Sequence, residues 1–144
     1  MEQRISLITL GVADVERAFA FYEQLGWHGQ VVQGTVFFQT GGIGVVLWET
    51  AKLAADIGLE TIVESGFRGV ALAHNVRTKE DVDAVISSVQ TAGGSVVRAA
   101  ADTFYGGYAG YFADRDGHVW EVAHNPGFEL ATDGSITIPD FSDL

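Results

Sequence analysis

The chain contains no cysteine and only two prolines among its 144 residues. The absence of cysteine excludes a disulfide framework, a thiolate zinc site and a cysteine nucleophile. No stretch approaches the roughly 20 apolar residues that span a bilayer, so we expect no membrane partner. The first four residues lack the charged-then-apolar layout of a signal peptide, and we therefore expect a cytoplasmic protein.

Basic residues are also scarce. Eight Lys and Arg stand against 19 Asp and Glu, which gives a formal net charge of −11. A surface this acidic repels phosphate backbones and anionic lipids. We therefore expect neither a nucleic acid nor a membrane surface as a partner, and the charge does not identify the ligand.

Hydrophobic residues and glycines are abundant, at 47% and 18 residues, which suits one domain of many short strands joined by tight turns. A strand is predicted at residues 5–12. Asp14 then caps a helix whose apolar residues follow the i, i+3, i+4, i+7 spacing, and Gly26 ends it. Three short strands follow, separated by glycines, at residues 29–33, 35–40 and 43–49. Residues 4–49 therefore form a first βαβββ module.

The second part of the chain repeats this order. A strand is predicted at residues 67–76, followed by a helix that Thr78 caps, with Asp81 able to return the capping interaction. Three strands complete a second module over residues 67–124, at residues 95–99, 109–113 and 118–124. The predicted fold class is therefore α+β, built from two βαβββ modules.

Two segments lie outside the repeat. Residues 50–66 link the modules, and residues 51–57 within this linker could form a helical turn or two. Residues 125–144 form a tail, in which Asp133-Gly134 suggests a small hairpin.

Glu121 is the most unusual residue of the predicted strands. It lies between Trp120 and Val122 in a segment built for burial, where a carboxylate is costly unless it is paired, hydrated or bound to a cation. Glu49, next to Trp48, ends the last strand of the first module. We align the two acids, 72 residues apart, as equivalent, and we expect both tryptophans to face the helices.

A second candidate is the loop at residues 102–111, where tyrosines alternate with glycines. Tyr105, Tyr108 and Tyr111 could close over a flat ligand while their hydroxyl groups donate hydrogen bonds. The alternative is a packed hairpin loop whose tyrosines cover the core.

The two modules and two motifs resemble the vicinal oxygen chelate superfamily, which contains glyoxalases, extradiol dioxygenases, and fosfomycin- and bleomycin-resistance proteins. The motifs are LGVAD at residues 10–14, followed by Phe21-Tyr22 and Leu25-Gly26, and DRDGHVWEV at residues 114–122. The resemblance covers about residues 4–124. It implies that each module curls its sheet, that the paired sheets form a cleft, and that the protein is a homodimer.

In metal-dependent members of this superfamily, four side chains from the first and last strands of each module hold one divalent ion. They are usually His or Gln, Glu, His and Glu. The resemblance places Glu49 and Glu121 at the two last-strand positions, and Leu7 and Ala71 at the two first-strand positions. Neither Leu nor Ala can coordinate a metal, so we expect no cofactor, with Ni, Zn, Mn or Fe at the two acids as the alternative.

The histidines do not complete this set. Residues an odd number apart along a strand face opposite sides, so His118 and His124 should point away from Glu121. His74 should likewise face the helices, because it lies three residues from Ala71. We expect His28, near a turn, to be structural.

Three functions remain open. The first, which we favour, is a metal-free protein that binds a small organic molecule, similar to the bleomycin-resistance branch. The acids, the three tyrosines, Leu7 and Ala71 would line its site. The second is a divalent-metal-dependent lyase, isomerase or dioxygenase that uses Glu49 and Glu121. The third is an enzyme that uses acid–base chemistry alone, with Glu121 as the best catalytic candidate. If the protein is an enzyme, the resemblance implies a glyoxalase-like lyase or an extradiol-type dioxygenase.

Overall fold

The computed structural model describes residues 1–60 and 66–141. In this part of the chain, the predicted βαβββ order occurs twice, with one additional helix between the two modules. The elements are β1 Leu7–Val12, α1 Val15–Gln24, β2 Gly29–Val32, β3 Thr35–Thr40, β4 Ile43–Glu49, α2 Thr50–Ile57, β5 Ala71–Asn75, α3 Lys79–Thr91, β6 Ser95–Asp102, β7 Tyr108–Ala113 and β8 Val119–His124.

Each module forms one four-stranded mixed sheet. The strand orders are β1-β4-β3-β2 and β5-β8-β7-β6. In each sheet the first and last strands of the module pair in parallel, and the remaining neighbours pair antiparallel. The predicted α+β class with two βαβββ modules is confirmed. No helix of the described residues has the length and apolar character needed to cross a membrane.

The described residues divide into two compact units. Unit 1 takes its residues from 1–69 and from the turn at 115–118, and unit 2 takes its residues from 70–114 and from positions after 118. The predicted linker at 50–66 contains α2, which is a full helix of eight residues. Residues 61–65 of that linker lie outside the described part of the chain.

In unit 1, α1 packs its apolar face against the sheet. The helix begins where the Asp14 side chain accepts a hydrogen bond from the backbone N–H of Arg17 at 3.0 Å. The Tyr22 ring of α1 lies 5.8 Å from that of Phe38 in β3. Phe38 is only 3% exposed, whereas Phe37 beside it is 41% exposed. The two phenylalanines therefore lie on opposite faces of β3.

In unit 2, α3 covers one face of the second sheet. The predicted capping box is present, because the Thr78 and Asp81 side chains each accept a hydrogen bond from the other residue's backbone N–H. Val82 and Val89 of α3 are fully buried. The Tyr108 hydroxyl of β7 donates to Asp83 of α3 at 3.0 Å, so Tyr108 identifies the face of the sheet that lies under this helix.

Several predicted strand boundaries differ from the structure, two of them by three residues or more. Strand β5 begins at Ala71 rather than at residue 67, because Gly66 and Gly69 have φ values of 121° and 82°, which interrupt extended backbone. Strand β6 extends to Asp102 rather than to residue 99, through two irregularities in its pairing with β7.

The predicted hairpin in the tail is present. Leu130 and Ile136 form an antiparallel bridge around Asp133-Gly134. The guanidinium of Arg77, near the end of β5, donates to the backbone carbonyl groups of Leu130 and Ala131 at 3.2 and 2.7 Å. One arginine thus holds the hairpin against the rest of unit 2.

A buried aspartate connects distant segments within unit 1. The Oδ1 atom of Asp116 accepts a hydrogen bond from the backbone N–H of Ala13 at 2.9 Å and lies 3.3 Å from the Arg17 guanidinium. The Asp116 side chain is 7% exposed and that of Arg17 is 39% exposed. The turn at 115–118 is therefore bound to the beginning of α1.

We predict that Asp116→Ala lowers the free energy of unfolding by about 1–3 kcal/mol, because it removes a largely buried carboxylate that accepts from the Ala13 N–H and pairs with the Arg17 guanidinium. Urea denaturation followed by circular dichroism measures this change. The control is Glu2→Ala, which removes an ion pair with Arg4 whose two side chains are exposed, so we expect no measurable change. Equal denaturation midpoints for the two variants would show that the Asp116 contacts do not stabilise unit 1.

Candidate functional site

One row of residues crosses all four strands of the second sheet. Ala73, Glu121, Tyr111 and Arg98 lie opposite one another on β5, β8, β7 and β6. Residues directly opposite in a ladder share a face of the sheet. Because Tyr111 lies three residues from Tyr108, which contacts α3, this row lies on the face away from α3.

Glu121 and Tyr111 form the central contact of this row. The Tyr111 hydroxyl donates a hydrogen bond to Oε1 of Glu121 at 2.8 Å. This hydrogen bond, aided by burial of the phenol, raises the pKa of Tyr111 above its ordinary value. The phenol is therefore protonated at neutral pH and acts as a donor. The hydrogen bond also explains how a carboxylate is tolerated in an otherwise apolar strand.

Arg98 completes the row on the other side of Tyr111. Its guanidinium carbon lies 4.7 Å from the centroid of the Tyr111 ring, which is a cation–π distance. Regular antiparallel pairing from Val96 opposite Phe112 would place Val97 opposite Tyr111. The register instead shifts on both sides of Arg98, and Arg98 takes that position. Bulges of this kind re-aim side chains and occur often beside active sites.

Small side chains surround this polar row. On the same face, one neighbouring row consists of Ala71, Val119, Ala113 and Ser95, and the other consists of Asn75, Ala123, Ala109 and Ala101. Most of these side chains end at Cβ. Ala109 and Ala123 are buried, whereas Ala71 is exposed and Ala113 is partly exposed. A few polar groups among apolar side chains are typical of small-molecule sites. Ala71 lies on this face, as predicted.

Glu49 does not occupy the equivalent position in the first sheet. It lies opposite Val12 at the end of the ladder, on the face that α1 covers. There it borders an open pocket of about 390 Å³ together with Phe19 of α1 and Val36. Its carboxylate forms an ion pair with Lys52 at 2.9 Å. The prediction that Glu49 and Glu121 lie on equivalent faces is wrong.

The ladders show why the repeat was misaligned. Leu7 and Ala71 are 64 residues apart, whereas their partners Gly44 and Val119 are 75 apart. The residue of β4 that corresponds to Glu121 is therefore Val46. A Trp-Glu pair occurs in both β4 and β8, but in β4 it lies three residues further along the strand than in β8.

Because of the same three-residue offset, only one of the two tryptophans faces the helix of its module. Trp120 lies on the face that α3 covers, as predicted, and its ring stacks with Phe112. Trp48 lies on the opposite face from Leu47, and therefore away from α1. The prediction that Trp48 faces the helix is wrong. It assumes that the neighbouring Glu49 points away from α1, whereas Glu49 lies on the α1 face.

Only part of the predicted tyrosine cluster lies together. Tyr108 is on the α3 face, so the prediction that it lines a site with Tyr111 is wrong; residues three apart on a strand face opposite sides. Tyr105 lies in the turn before β7, packs edge-on against Phe104, and interacts electrostatically with Tyr111. A ligand-binding role for Tyr105 stays a prediction.

Two of the histidines, His74 and His124, lie on the faces that alternation predicted. His74 is opposite Val122 and His124 is opposite Tyr108, both on the α3 face and away from Glu121. Burial lowers the pKa of His74, which is therefore neutral at physiological pH. Neither imidazole joins the polar row.

The residues present do not fit the metal centre that the resemblance implies. Its four positions hold Leu7, Val46, Ala71 and Glu121, of which one can coordinate an ion. In the described residues, no group of three or more His, Asp or Glu side chains is placed to hold a metal. A divalent ion needs several protein ligands, and a single carboxylate already bound to a phenol does not supply them.

Arg98 is the functional candidate that the sequence did not reveal. The signal would have been an arginine in a strand, but alternation from Val96 assigns it to the α3 face. The bulge that reverses this assignment has no mark in the sequence.

The model of the Glyoxalase/Bleomycin resistance protein/Dioxygenase superfamily matches residues 4–122, and the chain belongs to this superfamily. A glyoxalase-related enzyme from Fulvimarina pelagi is 36% identical, with 96% of this chain and all of that chain covered and a TM-score of 0.88. A hypothetical protein from S. aureus is 30% identical, with coverage of 86% and 94% and a TM-score of 0.75.

A lactoylglutathione lyase from Agrobacterium tumefaciens shares the fold at 21% identity, with coverage of 85% and 94% and a TM-score of 0.64. No curated protein sequence matches the chain significantly. The predicted family and its glyoxalase-like α+β fold are thus confirmed.

We predict that Glu121→Gln lowers the pKa of Tyr111 toward its ordinary value of 10.0, because a neutral amide holds the phenolic proton less strongly. In the native protein the hydrogen bond stabilises the fold fully below that pH. This stabilisation is lost as the pH rises through the higher pKa of the folded state. Absorbance titration of tyrosinate, taken as the difference from Tyr111→Phe, measures the shift.

The matched control is Asp83→Asn, which replaces the charged acceptor that raises the pKa of Tyr108 by a neutral amide. It should move the Tyr108 titration and leave that of Tyr111 in place. If Glu121→Gln left the Tyr111 titration unchanged, the hydrogen bond would not be the cause of the raised pKa.

Proposed function

We propose that this superfamily member binds a small organic molecule, without a protein-bound metal, on the face of the second sheet that carries Glu121 and Tyr111. The observation that carries this proposal is the 2.8 Å hydrogen bond between these two side chains, surrounded by alanines. A carboxylate in an apolar strand is costly unless it is hydrogen-bonded, and here the phenol bonds one of its two oxygens.

The geometry supports a polar ligand. Oε1 of Glu121 accepts the Tyr111 proton, and Oε2 has no partner among the described residues. This second oxygen can accept a hydrogen bond from a ligand. Ala71 and Ala113, which are not buried, provide an apolar floor for the rest of the molecule.

The metal-dependent alternative has less support. A lyase, isomerase or dioxygenase of that kind needs several ligands around the ion, and Leu7, Val46 and Ala71 occupy the positions that should supply them. If the bound molecule reacts, Glu121 is the candidate proton acceptor on this face, because the raised pKa of Tyr111 makes its phenol a donor. The homodimer and the cytoplasmic location stay predictions.

The first test is a thermal-shift screen of small organic molecules against the wild type. At about 100 times Kd, a ligand should raise Tm by about 5–10 °C. We predict that Glu121→Gln loses this shift and that Glu49→Gln keeps it. Glu49 is the matched control, because it is the same residue type on the α1 face of the other sheet. A shift lost in Glu49→Gln and kept in Glu121→Gln would place the ligand elsewhere.

The second test measures metal directly, on protein purified without an affinity tag. We predict substoichiometric metal by mass spectrometry, and a Tm that neither chelator nor added Ni, Zn, Mn or Fe changes. A stoichiometric metal that is absent from Glu121→Ala would overturn the metal-free proposal.

A further inference from the structure

Arg98 is the one charged group of the polar row that the proposed function leaves without a role. We propose that Arg98 binds the carboxylate of an organic monoanion whose hydrogen-bond donor is held at Glu121. This inference rests on the proposed function and specifies the chemical class of its ligand.

The first argument is the backbone of β6. The pairing of β6 with β7 is irregular on both sides of Arg98, and this irregularity exchanges Val97 for Arg98 opposite Tyr111. Val97 is 58% exposed. The irregularity places a cation on the Glu121 face, at the position that regular pairing would give to an apolar valine.

The second argument is the absence of a competing anion. The protein has 19 acidic residues and eight basic ones, yet Arg98 takes part in none of the ion pairs of the described residues. Its observed partners are the Tyr111 ring and, at 3.5 Å, the carbonyl oxygen of Ala109. A guanidinium has five N–H donors, so most of this fork is free for a bidentate carboxylate.

The Tyr111 ring also orients the guanidinium. Stacking at 4.7 Å holds the planar fork in place before a ligand arrives. A preorganised arginine loses less side-chain entropy on binding than a free one.

The order of the row sets the charge and length of the ligand. Glu121 and Arg98 lie on strands separated only by β7, which puts their backbones about 10 Å apart. A monoanion with a donor at its far end satisfies both groups, whereas a dianion would be repelled by Glu121 and by the net charge of −11. A hydroxy-substituted aromatic acid has these features.

The experiment is an NMR titration at pH 7 with 4-hydroxybenzoate and with its neutral isostere 4-hydroxybenzamide. The backbone amides of Tyr111 and Glu121 and the Nε–H of Arg98 report binding. We expect the acid to bind wild type roughly 10- to 100-fold more tightly than the amide, because only the acid forms charge-assisted hydrogen bonds with the fork.

Three variants assign this preference to a residue. Arg98→Met should remove the preference for the acid, and Arg98→Lys should keep part of it, since an ammonium retains the charge without the fork. Arg115→Met is the matched control, because it makes the same charge change at an exposed arginine of the turn at 115–118, and the preference should persist.

Equal affinity for the acid and the amide in wild type would overturn the role of Arg98, and this result does not depend on any variant folding. The same conclusion follows if neither probe binds, or if Arg98→Met keeps the preference. The proposed function has its own test: it fails if no compound of the thermal-shift screen gives a rise in Tm that Glu121→Gln loses.

Discussion

The parallel pairing between the first and last strands of each module is the constraint on which the rest of the structure depends. In a ladder, each residue shares its face with the residue opposite, and a shift of one residue exchanges the two faces of a strand. The β5–β8 register places Glu121 opposite Ala73, away from α3. The β1–β4 register places Glu49 opposite Val12, under α1. Two acids in similar sequence surroundings therefore have different environments.

On the face of the second sheet, polar groups and small residues complement one another. Glu121 would be unfavourable in an apolar strand, but the Tyr111 hydroxyl satisfies one of its oxygens, and most of the neighbouring side chains on this face are alanines. The bulge in β6 adds Arg98 to the same row, stacked on the Tyr111 ring. An acceptor, a donor and a cation thus lie side by side, on a sheet whose other face is held by the buried valines of α3.

Membership of the superfamily does not bring its usual ligand residues with it in this chain. The family match covers residues 4–122, but only one of the four positions assigned to metal ligands carries a group able to coordinate. The carboxylate at that position accepts a hydrogen bond from the Tyr111 phenol. Both proposals of ligand binding start from this hydrogen bond.

Most of the fold could be predicted from the sequence, since its signals are local. Asp14 and Thr78 cap their helices where the pattern of apolar residues begins, and glycines separate the strands. The candidate site could be predicted only in part. Glu121 and Tyr111 were correctly identified as lying in neighbouring strands, but Glu49, Trp48 and Tyr108 were assigned to the wrong faces or partners.

The two βαβββ modules and the family could be predicted from the sequence, and Glu121 could be named as a candidate site residue, because caps, turns and hydrophobic periodicity act over a few residues. Which side chains meet depends on the tertiary structure. The 75-residue offset between β4 and β8 puts Val46 at the position equivalent to Glu121. The bulge in β6 puts Arg98 beside Tyr111. Register and bulges depend on pairing between strands distant in the chain, and a local pattern carries no record of them.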